Sequence, residues 1–204
     1  SNPQVVISKL AVPAKNLKEL IAWSKANQDK LLVGTGGVAA SSHMGGIYFQ
    51  NAIGTKFQYV HYRGGAPAIQ ALLSGEVDIY VTQVSGAVPL VRAGKIRAYA
   101  VTSKNRQEAA PEIPTVDEAG LPGLYTSVWH AIWVPKSTPK DIIGKLNAAF
   151  VATLADANVR KRFGDLGQEI PSREELTPQA LAAYHKAEID KWWPLIKAAG
   201  LKAE

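Results

Sequence analysis

The sequence predicts an α/β fold built on a layered sheet with parallel strand pairs. Three observations carry that reading. Between residues 31 and 101, short apolar runs alternate with segments of helical period. Each run passes into its helix through a junction rich in Gly, Ser or Thr. Beyond Ser137 the pattern turns almost wholly helical, which divides the chain into an α/β part and a helical part.

Taken in order, Asn16-Leu17-Lys18-Glu19 has the form of a capping box, with Leu17, Leu20, Ile21 and Ser24 at helical spacing behind it. Leu31-Leu32-Val33 is a short strand. Ser41 and Ser42 are placed to cap a helix carried by Met44, Ile47 and Tyr48, and Phe57 to Tyr62 alternates as a strand. After the turn Arg63-Gly64-Gly65, a helix runs from Ala66 to Ser74 and is stopped by Gly75. Val77 to Val81 is a strand. Ser85 is placed to cap a helix over 86–93, with Pro89 in its first turn, where a missing N–H costs little. Ile96 to Val101 is a further strand. A polar, proline-bearing stretch over 103–126 precedes a strand from Val128 to Val134. Helices follow over 140–155, with Ile142, Ile143, Leu146, Phe150 and Leu154 on one face, then over 158–165 and 178–199.

Composition removes several classes of function. The 204 residues include no cysteine, which excludes disulfides, thiolate catalysis and Cys-ligated metal. No run approaches the ~20 apolar residues of a membrane helix, and no signal peptide is visible. The net charge of +6 is scattered, and its densest spot, Arg160-Lys161-Arg162, reads as one exposed helix face. Nucleic-acid binding calls for a basic stripe with interleaved aromatics, so the charge fits attraction of small anions better.

Three strand-to-helix junctions are candidates for a binding site. They are 34–42 (Gly-Thr-Gly-Gly-Val-Ala-Ala-Ser-Ser), 62–66 (Tyr-Arg-Gly-Gly-Ala) and 81–85 (Val-Thr-Gln-Val-Ser). In an open α/β sheet, ligands sit beyond the carboxyl ends of the strands, where free N–H groups and helix dipoles favour anions. The candidate ligand-binding residues are Thr35, Gly36, Gly37, Ser41 and Ser42 from the first junction; Gly64, Gly65 and Ala66, with Arg63 as a charge partner, from the second; and Thr82 and Gln83 from the third. The same residue types also serve as ordinary turn and cap residues. Gly34 to Ala39 matches G-x-G-x-x-A, but the Ser caps come several residues too late and no acidic residue closes the next strand. A nucleotide cofactor is therefore not indicated.

Catalytic signals are sparse. There is no G-x-S-x-G elbow, and His43, His61, His130 and His185 lack metal-ligand spacing. Neighbouring Ser42 and His43 diverge by about 100° on a helix. They leave a small α/β hydrolase or transferase as the alternative to a binding protein. An interaction domain using the helical tail and Trp192-Trp193 is a third reading.

Together these segments resemble one family. The carrying residues are Val12 to Leu20, Ser41-Ser42-His43-Met44 after a Gly-rich loop, Tyr62-Arg63-Gly64-Gly65-Ala66-Pro67-Ala68, Ala93 to Ser103, and Ile113-Pro114-Thr115-Val116-Asp117-Glu118-Ala119-Gly120. They are similar to the substrate-binding proteins of tripartite tricarboxylate transporters, the Bug proteins. The resemblance implies a type II periplasmic-binding-protein-like fold and a periplasmic location. It further implies capture of a small carboxylate (a di- or tricarboxylate, acidic amino acid or aromatic acid) in an interdomain cleft, delivery to membrane permease subunits, no cofactor and no enzymatic step. Residues 12–103 would form the ligand-binding domain, while 1–11 and 104–204 would be crossover strands and helices of a first domain lacking its N-terminal part. In two places the chain departs from the family pattern. Thr82 stands where many relatives carry an acidic residue, which favours a plain carboxylate, and Ala39 replaces a common glycine.

Overall fold

The computed structural model describes residues 1–201. Its centre is a mixed sheet in the order β3-β2-β4-β1-β5. The strands are β1 (Asn2–Lys9), β2 (Leu32–Thr35), β3 (Gln58–His61), β4 (Ile79–Gln83) and β5 (Ile96–Val101). β2 pairs in parallel with both β3 and β4, whereas β1 runs antiparallel to β4 and β5. The parallel pairs follow from right-handed strand–helix–strand crossovers. These use α2 (Ser41–Ile53) and α3 (Gly65–Ser74), with α1 (Leu17–Ala26) and α4 (Val84–Arg92) completing the layers.

Residues 1–11, grouped from sequence with the crossover segments, supply the strand between β4 and β5. Val5, Val6 and Ile7 are fully buried there because helices cover both faces of the sheet. Val6, Val33, Ile79 and Val81 face α1 and α2, along with Leu17, Leu20 and Phe49. Val5, Ile7 and Tyr80 face α3 and α4, along with Leu72, Val84 and Val88. Gly45 lets α2 lie close to the sheet: a Cβ there would come within 2.9 Å of Val81 Cγ1 and closer still to Gln4 Oε1.

Several local expectations are revised. Asn16 caps α1 by accepting from the Glu19 N–H (2.9 Å), but Glu19 reaches back to the N–H of Lys15 (2.7 Å), one residue before the cap. Ala40 and Gln83, not the serines, occupy the cap positions of α2 and α4, and neither makes a side-chain cap bond. Because α4 begins at Val84, Pro89 lies inside it rather than in its first turn. The strand expected over 128–134 shrinks to β6 (Ser127–Val128), paired with Asn2 and Pro3. Trp129 instead turns its indole N–H to Glu188.

The helical part comprises α5 (Lys140–Ala155), α6 (Ala157–Asp165) and α7 (Pro178–Ala198), none of which buries a residue completely. The apolar face expected on α5 lies open, with Phe150 42% exposed, and Trp193 of α7 is 54% exposed. α7 meets the α/β part through Trp192, edge-on to Tyr48 at 5.7 Å, and through Lys191 Nζ, which donates to the Tyr125 carbonyl (2.6 Å).

Candidate ligand-binding site

The C-terminal ends of β2, β3 and β4 lie side by side, so the N-termini of α2, α3 and α4 converge. Their N-caps are Ala40, Gly64 and Gln83, and none of the three offers a side-chain cap. Of the helices that lie elsewhere, α1, α6 and α7 are capped by Asn16, Asp156 and Thr177, while α5, behind Pro139, has no side-chain cap. The first turn of a helix has N–H groups with no intrahelical acceptor. Three such turns, left open by their own caps, surround a hollow of about 520 Å³.

From α2 and its approach the hollow is lined by Gly36, Ala40, Ser41 and Ser42; from α3 by Gly65, Ala66, Ile69 and Gln70. The β4–α4 junction adds Tyr80, Thr82, Gln83, Ser85 and Gly86. No lining side chain carries a formal charge, so the polar character comes from amides and hydroxyls. A comparable hollow of about 570 Å³ lies beside α5, with Asn147, Val151, Arg160, Arg173 and Thr177 among its walls; charged side chains line it, and Thr177 caps α7 with its own hydroxyl.

Seven of the residues singled out from sequence therefore share one surface: Gly36, Ser41, Ser42, Gly65, Ala66, Thr82 and Gln83. Thr35, Gly37, Arg63 and Gly64 lie outside the lining. Thr35 is buried, and Arg63 is exposed. Thr82 and Gln83 belong to the end of β4 rather than to a loop.

The Gly-rich loop spends its own donors internally. Gly36 N–H donates to Ser42 Oγ (2.8 Å), Gly37 N–H to Thr35 Oγ1 (3.2 Å) and Ala39 N–H to His43 Nδ1 (3.1 Å). Ser42 and His43 thus act as acceptors that shape the loop. Among the described residues, neither is hydrogen-bonded to the other. Ala39 holds φ +58, the left-handed region that a side chain usually avoids, and the bond to His43 anchors it there. The first two junctions are locked together by Gly64 N–H donating to the Gly36 carbonyl (3.0 Å). Gly64 takes φ +111, a conformation suited to glycine.

Beneath the loop, His43 sits edge-on to His61 (4.7 Å) and Tyr59 (4.7 Å). Burial, reinforced by the neighbouring His61, lowers the His43 pKa to about 4, so its imidazole is neutral and free to accept from Ala39. His61 Nδ1 shares a 2.7 Å hydrogen bond with Thr35 Oγ1.

Three supporting residues escaped the sequence reading. Gln4 and Asn2 stand on β1, behind the site. Gln4 Nε2 donates to the Ser41 carbonyl (3.0 Å), and Asn2 Nδ2 donates to Ser85 Oγ (2.8 Å). The third, Tyr80, lines the hollow from within the core. Polar residues alternating with apolar ones at the start of β1 are the signal that could have revealed the first two.

A helix-covered α/β sheet with helix N-termini gathered around one hollow, and a helical segment packed beside it, is the architecture of the periplasmic-binding-protein fold class. Residues 1–201 match the family described as the tripartite tricarboxylate transporter family receptor, and the chain belongs to that family. It is 36% identical over 198 residues to the UPF0065 protein in the TAR-I ttuE-ttuC' intergenic region of Agrobacterium vitis, covering 97% of this chain and 57% of that one. BugT of Bordetella pertussis is 27% identical over 200 residues, covering 98% of this chain and 60% of BugT. Among solved structures, periplasmic binding protein BugD superposes with a TM-score of 0.85 at 36% identity, covering all of this chain and 68% of BugD. MatC of Rhodopseudomonas palustris, solved with bound malate, gives 0.85 at 33% identity, covering 96% of this chain and 66% of MatC. The chain thus spans 57% of the length of that Agrobacterium relative.

Proposed function

We propose that this chain carries the ligand-binding domain of an extracytoplasmic solute receptor that captures a small carboxylate and presents it to a membrane permease. The convergence of three uncapped helix N-termini on one uncharged hollow carries the reading. A carboxylate there meets oriented N–H groups and the positive ends of three helix dipoles, an arrangement that stabilises an anion without a cationic side chain. Hydroxyls of Ser41, Ser42, Thr82 and Ser85 add donors at the rim. With no lining carboxylate, the site offers no ionic partner to an ammonium group, which favours a plain carboxylate over an amino acid.

Relatives support the class of ligand: MatC is solved with malate and another R. palustris structure with adipate. Family membership supports the extracytoplasmic location and the permease. The division into an α/β ligand domain and helices of a second domain belongs to the same proposal, supported by the absence of fully buried residues in α5, α6 and α7. The protein's work is closure of a cleft, in which the ligand shifts an open–closed equilibrium by preferring the closed form.

Calorimetry of the full-length gene product against malate, adipate, citrate and glutamate tests the reading. Binding of at least one plain carboxylate is expected, with glutamate weaker. Binding of none would sink the proposal. Loss of labelled-carboxylate uptake on deleting the gene, restored by complementation, tests the transport role.

A further inference from the structure

Tyr80 stands apart from other tyrosines of the chain. Tyr48, Tyr59, Tyr62, Tyr99 and Tyr125 each direct the hydroxyl to a protein acceptor. Tyr80 is 2% exposed, its ring is packed against the α3 and α4 side of the core, and its hydroxyl makes no hydrogen bond to a described residue. The ring is buried, but the hydroxyl is not among the enclosed unpaired side-chain atoms of the described residues, Asn2 Oδ1 and Ser24 Oγ, so it opens toward solvent. Tyr80 lines the hollow. Its oxygen lies beside the first residue of α3, 3.4 Å from where a Cβ on Gly65 would sit, and Gly65 in turn adjoins Gly36, where a Cβ would lie 3.3 Å from the Gly65 nitrogen. The unpaired donor thus sits where the first two junctions meet.

We infer that Tyr80 is a specificity-determining residue of this site, its phenol hydroxyl donating to a carboxylate oxygen of a ligand seated at the N-terminus of α3. The inference rests on the carboxylate reading and deepens it. The ligand supplies the acceptor that the protein withholds. A ring held by core packing offers that donor in one fixed position, whereas a mobile serine could follow ligands of different shape. The site therefore selects for an acceptor at that depth and disfavours ligands presenting a methyl or ammonium group there.

Tyr80→Phe removes the hydroxyl and keeps the ring, so the core stays filled. The test uses the full-length gene product, titrated calorimetrically with malate, adipate and citrate, and melted without ligand. The expected result is a loss of roughly 10- to 100-fold in affinity for the best-bound acid, the range for removing one hydrogen bond to a charged group, with the ligand-free melting temperature unchanged. Affinity within about twofold of wild type would overturn the inference, as would a drop in ligand-free melting temperature matching the drop in affinity, since the hydroxyl would then serve the fold. If the wild-type protein binds none of the three acids, the carboxylate reading itself fails and takes this inference with it.

Discussion

Ser42 Oγ accepts a 2.8 Å hydrogen bond from the amide of Gly36, six residues earlier, and so joins the Gly-rich turn to the first turn of α2. The loop is thereby shaped before any ligand arrives, and the donors left for a ligand are those of the helix start. Ser42→Ala leaves the Gly36 N–H without its acceptor, at a cost of about 1–3 kcal/mol. Chemical denaturation should show the loss of stability, and calorimetry a parallel loss of ligand affinity. Ser41→Ala should leave stability intact, because Ser41 is exposed.

Gly36 sits against the second junction: a Cβ there would lie 3.2 Å from the Gly64 carbonyl carbon and 3.3 Å from the Gly65 nitrogen. Both contacts are backbone and have little room to yield. Gly36→Ala should part the two junctions, costing about 1–3 kcal/mol as overpacking does, and weaken ligand binding. Gly144→Ala, in α5 with nothing within 4 Å of the new Cβ, is the control. It should stabilise by about 0.5–1 kcal/mol. Equal melting temperatures for the two variants would contradict this packing.

The pH dependence follows from His43. Its imidazole titrates near 6.5 when free and at about 4 here, lowered by burial and by His61. Between those values the unfolded chain binds more protons than the folded one, so stability falls as pH drops from 6.5 towards 4 and is fully present above 6.5. Protonation of the folded protein, which sets in only as pH nears 4, also removes the acceptor of the Ala39 N–H, so ligand affinity should hold down to about pH 5 and fall around pH 4. His43→Gln should flatten the denaturation midpoint over pH 4–6.5; a slope equal to wild type would assign it to other groups.

Asp78 precedes β4 and ties three strands. Its Oδ2 accepts from the Leu32 N–H (2.9 Å), its Oδ1 pairs with Lys9 Nζ (2.8 Å), and its carbonyl accepts from the Lys9 N–H (3.1 Å). Asp78→Ala should cost about 1–3 kcal/mol through the unpaired Leu32 amide, read as a lower denaturant midpoint. Because Asp78 lies at the end of the sheet away from the hollow, ligand affinity measured on the folded protein should be unchanged.

Local signals were legible wherever the chain speaks to its near neighbours. The Asn16 cap, the glycine stop after Ser74 and the strand from Ile96 to Val101 depend on residues a few positions apart, and they lie where the sequence places them. The serine caps misled because Ser42 has a second use. Its hydroxyl serves the Gly36 amide, a partner that only the folded loop brings near. The apolar face of α5 reads as core from its spacing, yet spacing records what a face needs and not whether these residues cover it.

By itself, the sequence determined the α/β alternation and the three junctions, because periodicity, caps and residue chemistry act over a few positions. Only the tertiary structure decided that β1 lies between β4 and β5, that the loop amides are spent on Thr35, Ser42 and His43, and that Tyr80 presents an unpaired hydroxyl beside Gly65. Those facts depend on strand order and on which face of β4 meets α3. Such contacts join residues far apart in the chain, and no short-range pattern records them.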